Sequence, residues 1–117
     1  MAIWLVRAGT YGEHEERFFS ENRIYLTWES IRNTDLSAAG NYDGIKLIVH
    51  RNNPDESVRK LGNWSGQIWA FAQAMQVGDW VAVPKKQKGT IAIGEITSGY
   101  KFDGNGEGLY KCVFWPT

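Results

Sequence analysis

The chain has 117 residues, 43% hydrophobic and 22% charged, which fits one folded domain and excludes a wholly disordered segment. Its 13 basic and 13 acidic side chains cancel, which excludes strong non-specific attachment to a phosphate backbone. A single cysteine, Cys112, rules out an internal disulfide; with no signal-peptide pattern in MAIWLVRAGTYGE and no apolar run near the ~20 residues of a membrane span, a cytoplasmic protein or piece of one is expected, with no membrane partner.

Ile3-Trp4-Leu5-Val6 is a short apolar run closed by Arg7-Ala8-Gly9, and it reads as a buried strand entering a turn. After Gly12, EHEERFFSEN reads as a helix, with Glu13, Glu15 and Glu16 at the end where the helix dipole favours carboxylates. RIYLTWE, from Arg23 to Glu29, is a second strand with Trp28 at its exit. NTDLSAAGNYDG reads as a loop and YDGIKLIVHR as a short amphipathic helix. Asn52-Asn53-Pro54-Asp55 breaks that helix, and DESVRKLG adds a further helical turn or two before Gly62.

GNWSGQIWAF then opens the strongest helix. Trp64, Ile68, Phe71, Ala72 and Met75 share one face at roughly 100° per residue, and Asn63 is placed to cap the N-terminus. Gly78-Asp79 is a turn. WVAVP, TIAIGEITSGYKF and LYKCVFW are three strands, separated by KKQKG and DGNGEG as hairpin loops. The order β-α-β-α-α-β-β-β predicts an α+β fold: a small mixed sheet or partly closed β-barrel with flanking helices, in a single domain over 1–117.

Catalytic and metal chemistry find little support. His14 and His50 lack neighbours at metal-ligand spacing and read as surface or capping residues. Cys112 lies in an apolar strand and reads as an inert thiol. Asp103, Asn105 and Glu107 alternate like the start of a calcium loop, but the twelfth position is Phe114 and no helix follows. The glycines of GTYG and GNGEG lack the Lys-Ser/Thr pair of a phosphate loop. Neither a catalytic set nor a cofactor is expected.

The remaining signal is aromatic and polar: six tryptophans in so short a chain. Trp64 lies on the helix's buried stripe and Trp69 about 100° off it. Two readings stand for Trp28, Trp64 and Asn63: core packing with a helix cap, or the wall of a pocket for a flat ligand. Arg7, closing a buried strand, needs a carboxylate, a phosphate or a base edge as partner. Lys85, Lys86 and Lys88 form the one dense basic run, either a solvated hairpin tip or a phosphate contact.

Taken together, IWLVRAGTYGEHEERFFSEN, Trp28 with the following DLS, NWSGQIWAFAQAMQVGDWVAVP and IAIGEITSGYKF resemble the N-terminal domain of Mrr-like, modification-dependent restriction endonucleases. That domain is similar to the EVE and YTH group of the PUA-like superfamily, and the likeness runs from Trp4 to Trp115. It implies a non-catalytic DNA-binding reader that holds a modified base, flipped out of methylated or otherwise modified DNA, in an aromatic pocket. It also implies a covalently linked nuclease domain, which the reader targets in a restriction system.

Carried over residue by residue, the likeness points to Arg7, Gly9, Trp28, Asn63, Trp64, Ser65 and Gln67 as the pocket. Tyr100 or Phe102 stands where YTH readers usually supply another cage tryptophan, and Asp79 and Trp80 are expected to be structural. The rival functions are a YTH-type reader of modified RNA, a small PUA-like enzyme, and a protein-interaction domain whose tryptophans anchor an interface.

Overall fold

Alternation of apolar and polar residues sets most of the strands, and burial of one helix face sets the rest. The computed structural model describes residues 2–9, 11–86, 88–103 and 106–116. In chain order come β1 (Ile3–Leu5), α1 (Glu15–Glu21), β2 (Arg23–Tyr25), two short 3-10 turns (Glu29–Ile31 and Leu36–Ala39), α2 (Tyr42–Asn52) and α3 (Val58–Trp69). A π-helical turn, Ala70–Ala74, extends α3, and β3 (Trp80–Lys85), β4 (Thr90–Ile96), β5 (Lys101–Phe102) and β6 (Gly108–Phe114) follow.

The strands form one sheet in the order β1-β3-β4-β6-β2, with β5 also on β6, curled into a half-barrel. β1 runs parallel to β3, with Ile3 beside Trp80, and the other pairings are antiparallel. The α+β class with a partly closed sheet is therefore as the sequence predicts.

Several boundaries differ, among them α1, which covers only Glu15–Glu21 of EHEERFFSEN, and β1, whose Ile3 and Leu5 are exposed where a buried strand was expected. The second strand stops at Tyr25, so Trp28 lies in the extended segment beyond it and precedes the first 3-10 turn. TIAIGEITSGYKF is two strands, because at Ser98 a side chain replaces backbone in the ladder: Ser98 Oγ accepts from Lys111 N at 2.8 Å. The helix at Trp64 starts earlier, at Val58, because Ser57 caps it by accepting from Lys60 N at 3.2 Å. Asn63 is thus no cap but an exposed residue inside the helix. The KKQKG and DGNGEG turns fall partly outside the described residues, at 87 and at 104–105.

Two apolar clusters form the core. Val6, Ala8, Phe18, Ile24, Val81, Val83, Ile96, Tyr110 and Cys112 fill the hollow of the sheet. Ile31, Leu36, Ile45, Val49, Leu61, Ile68 and Ala72 join the helices. The π turn lets one helix serve both, sending Phe71 and Met75 to the sheet cluster while Ile68 and Ala72 stay with the helices. Met75 N bonds Ala70 O at 3.2 Å, and Tyr110 donates its hydroxyl to the carbonyl of Phe71. Each fully buried Val, Leu, Ile or Phe side chain contributes about 1.5–3 kcal/mol.

Candidate nucleic-acid interface

Trp28 and Trp64 come from separate segments and meet on the helical core. Their ring centroids lie 6.3 Å apart at 67°, an edge-to-face contact, and both indoles are half-buried. Tyr100 packs against the same cluster. Its hydroxyl accepts from Leu36 N at 3.3 Å, and its ring lies edge-on to Tyr110 at 6.0 Å. Burial raises the Tyr100 phenol above its ordinary pKa, so it stays a neutral aromatic surface at working pH. Gly108 makes room for that ring, because a Cβ there would sit 2.6 Å from Tyr100. Phe102, half-buried, pairs with Gly108 on β5.

The face of α3 around Trp64 is polar. Asn63 and Gln67, four apart, are both exposed beside it, and Lys60 Nζ lies 5.2 Å from the Trp64 ring. Ser65 does not belong to this face. It is fully buried and donates its hydroxyl to Leu61 O at 2.7 Å, so it is a core residue of the helix.

A cleft opens beside Trp28, lined by Leu26, Thr27, Glu29, Ile31, Arg32, Thr34 and the Gly106-Glu107-Gly108 strand entrance. It encloses only about 20 Å³, room for about one water. Trp64 does not line it. The two indoles touch each other rather than standing parallel with a gap between them.

The other expected residues lie elsewhere. Val6 and Ala8 turn into the sheet cluster, so Arg7 alternates outward and is exposed. Gly9 has φ +91°, and a Cβ there would lie 2.0 Å from Glu13 Oε1, the oxygen that accepts from Tyr11 N at 2.9 Å. Its glycine is explained by the turn into α1. Lys85 Nζ lies 4.9 Å from the Phe19 ring, and Lys86 donates its backbone N–H to Glu15 Oε2 at 2.9 Å. Lys88 is exposed in the same turn. Lys85 thus stacks on α1, and the Lys86 backbone is tied to a carboxylate of the same helix.

One feature was not anticipated: a charged network under the cleft. Arg17 Nη1 donates to Glu107 Oε1 at 2.8 Å, and its guanidinium sits 3.7 Å above the Tyr25 ring. Glu21 and Asp103 flank it at 3.7 and 4.0 Å, and Tyr25 donates to Glu21 at 2.5 Å. Asp103 also accepts from Glu107 N at 3.0 Å. The acidic residues of DGNGEG thus organise the turn around Arg17; Asn105 lies outside the described residues. The i,i+4 pair Arg17–Glu21 was readable in sequence, but the link to Glu107 was not.

Asp79 is structural, as expected. Its carboxylate accepts from the Trp4 indole at 2.8 Å, Gln76 N at 3.0 Å and Ala2 N at 3.1 Å. Residues 4–114 match a family described as a domain of unknown function (DUF8426). The chain belongs to that family. No curated protein and no solved structure matches it. In this family member no helix among the described residues is long and apolar enough to cross a membrane.

Proposed function

We propose that the domain reads a modified base in DNA, with Trp28 and Trp64 as the stacking surfaces. The observation that carries this is their juxtaposition: two half-buried indoles from different elements, in contact, beside the exposed amides of Asn63 and Gln67. The resemblance to readers of Mrr-like endonucleases supports the same residues, and on this reading the domain targets a linked nuclease and is not itself catalytic.

In the free protein the two rings satisfy each other. A flipped base would replace that contact, so the pair would have to part before a base could stack on either ring. Unstacking a base costs a few kcal/mol, and base–aromatic stacking returns about 1–3 kcal/mol per base. The amides of Asn63 and Gln67 supply both donors and acceptors for a base edge. A methyl group adds about 1 kcal/mol by filling an apolar corner, so preference over the bare base is modest. Ser65 is left out of this site because its hydroxyl is buried within the helix.

Titration of tryptophan fluorescence tests the proposal. Short DNA duplexes carry 5-methylcytosine, 5-hydroxymethylcytosine, N6-methyladenine or no modification, with an N6-methyladenine RNA strand as a further arm. Quenching that saturates at lower concentration for one modified duplex supports it. Equal response to all DNA arms, or tightest binding to the RNA, refutes it.

A further inference from the structure

Lys60 stands over the ring of Trp64, with its Nζ 5.2 Å from the centroid. Helix phase sets this placement. Lys60, Asn63, Trp64 and Gln67 follow at spacings of three, one and three, so they share one stripe of α3. The ammonium also pairs with Glu56 Oε2 at 3.4 Å, just ahead of the helix. The two side chains are 53% and 37% exposed, and an ion pair so open to water is weak and readily exchanged. Of the three cation–ring contacts among the described residues, this is the one made to either indole of the Trp28–Trp64 pair. Arg59 is exposed but turned about 100° from Lys60 around the helix. Arg32, beyond the 3-10 turn that follows Trp28, pairs with Glu29 at 3.9 Å. Lys85 lies against Phe19, which packs on the sheet cluster.

We infer that Lys60 is the phosphate-binding residue of the base-reading site, an inference that rests on the reading proposed above. A nucleotide brings its phosphates with its base. A base stacking on Trp64 takes the place that the ammonium holds over the ring in the free protein. The phosphate arriving with that base gives the displaced ammonium an anion. Lys60 thus exchanges a ring and a carboxylate for a phosphate. Its flexible four-carbon stem and three donors allow this without movement of the helix. Glu56 opposes the step twice over: it holds the cation in the free protein and repels the strand in the complex. The contact carries no base information of its own. It forms once a base sits on Trp64, so Lys60 positions the flipped nucleotide rather than attracting duplex in general.

The salt dependence of binding by the 117-residue protein tests this inference. Affinity is read from tryptophan fluorescence between about 50 and 200 mM sodium chloride. The probes are duplexes carrying 5-methylcytosine, 5-hydroxymethylcytosine or N6-methyladenine, and the unmodified duplex. On the modified duplex that the wild type prefers, Lys60→Gln should reduce the slope of log K against log salt by about 0.9, the value of one phosphate contact. The slope on unmodified duplex should stay as it is. Lys60→Arg should keep the wild-type slope on both. Glu56→Gln should tighten binding to the preferred duplex about two- to fivefold, a gain that a merely structural Lys60–Glu56 pair would not give. Circular dichroism checks that each variant is folded. If the wild type shows a preference, an unchanged slope in folded Lys60→Gln, or unchanged or weaker binding in Glu56→Gln, overturns the Lys60 assignment and leaves base reading standing. No preference in the wild type overturns base reading, and the assignment with it.

Discussion

Trp28 and Trp64 hold each other edge to face at 6.3 Å, so any ligand that stacks on one competes with the other. An aromatic pair of this kind contributes about 0.5–1.5 kcal/mol beyond its buried area. Trp28→Ala and Trp64→Ala should each lower the melting temperature and remove about 1–3 kcal/mol of binding to the preferred modified duplex, sparing unmodified duplex. Trp69 lies edge-on to Tyr42 at 6.4 Å and is 37% exposed, so Trp69→Ala should cost some stability and no selectivity. Melting and affinity recorded together separate the effects. Full selectivity in folded Trp28→Ala and Trp64→Ala would move the pocket elsewhere.

A second expectation concerns the glycines of the long helix. Gly62 and Gly66 lie within α3, and an added Cβ meets nothing within 4 Å at either position. Each replacement by Ala should raise stability by about 0.5–1 kcal/mol, since the native backbone already suits an L residue. Gly44 is the contrast, for a Cβ there would lie 2.0 Å from Ala39 O, so Gly44→Ala should destabilise. Denaturant midpoints decide the matter. Loss of stability in Gly66→Ala would overturn this expectation.

Asp79 is one of the carboxylates that should contribute to the acid limb of stability. The Trp4 indole N–H, followed by the Ala2 backbone N–H, holds its carboxyl below the ordinary value. A depressed folded pKa stabilises fully above the unfolded value of about 3.9, and that contribution fades as pH falls through the lower folded value. Asp79→Asn should therefore lower stability at neutral pH and flatten the acid limb below about pH 4. An unchanged profile in the variant would show that other carboxylates govern acid unfolding.

The lysine turn should contribute little to DNA affinity. Lys85 stacks on Phe19 and the Lys86 backbone engages Glu15, so a carboxylate stands beside the cations. Replacing Lys85, Lys86 and Lys88 together by Ala should reduce the salt slope of duplex binding by less than the roughly 2.7 expected if all three held phosphates. A fall of the full size would make this turn the main phosphate contact.

Much of the sheet could be read from alternation. WVAVP and LYKCVFW place Val81, Val83, Tyr110 and Cys112 inward, and the structure does the same. Burial also pushes the Cys112 thiol up to about 12, in keeping with its reading as an inert group. The helix boundary was misread because Gly62 looks like punctuation. Tertiary burial of Leu61, Ser65 and Ile68 outweighs the cost of a helical glycine, and Ser57 supplies the cap. The π turn has no local signature, since it depends on Tyr110 reaching Phe71 from another element. For the site, sequence paired Trp28 with Trp64 through resemblance, and their edge-on contact could come only from packing. Strand parity turns Arg7 outward and helix phase turns Ser65 into the core.

The pairing of β1 with β3 has a consequence for how the chain acquires its shape. Ala2 and Asp79 are hydrogen-bonded partners 77 positions apart, and among the described residues β2 pairs only with β6. Both early strands must wait for the C-terminal half of the chain, while α2 and α3 can pair locally. Such separation costs loop-closure entropy before any contact offsets it, and it slows the search for the native arrangement. The helical hairpin is then the natural nucleus and the sheet margin the last part to lock. Conservative truncations at Ile45 or Ile68 should slow refolding, whereas Val6→Ala, at the buried end of the sheet margin, should chiefly speed unfolding.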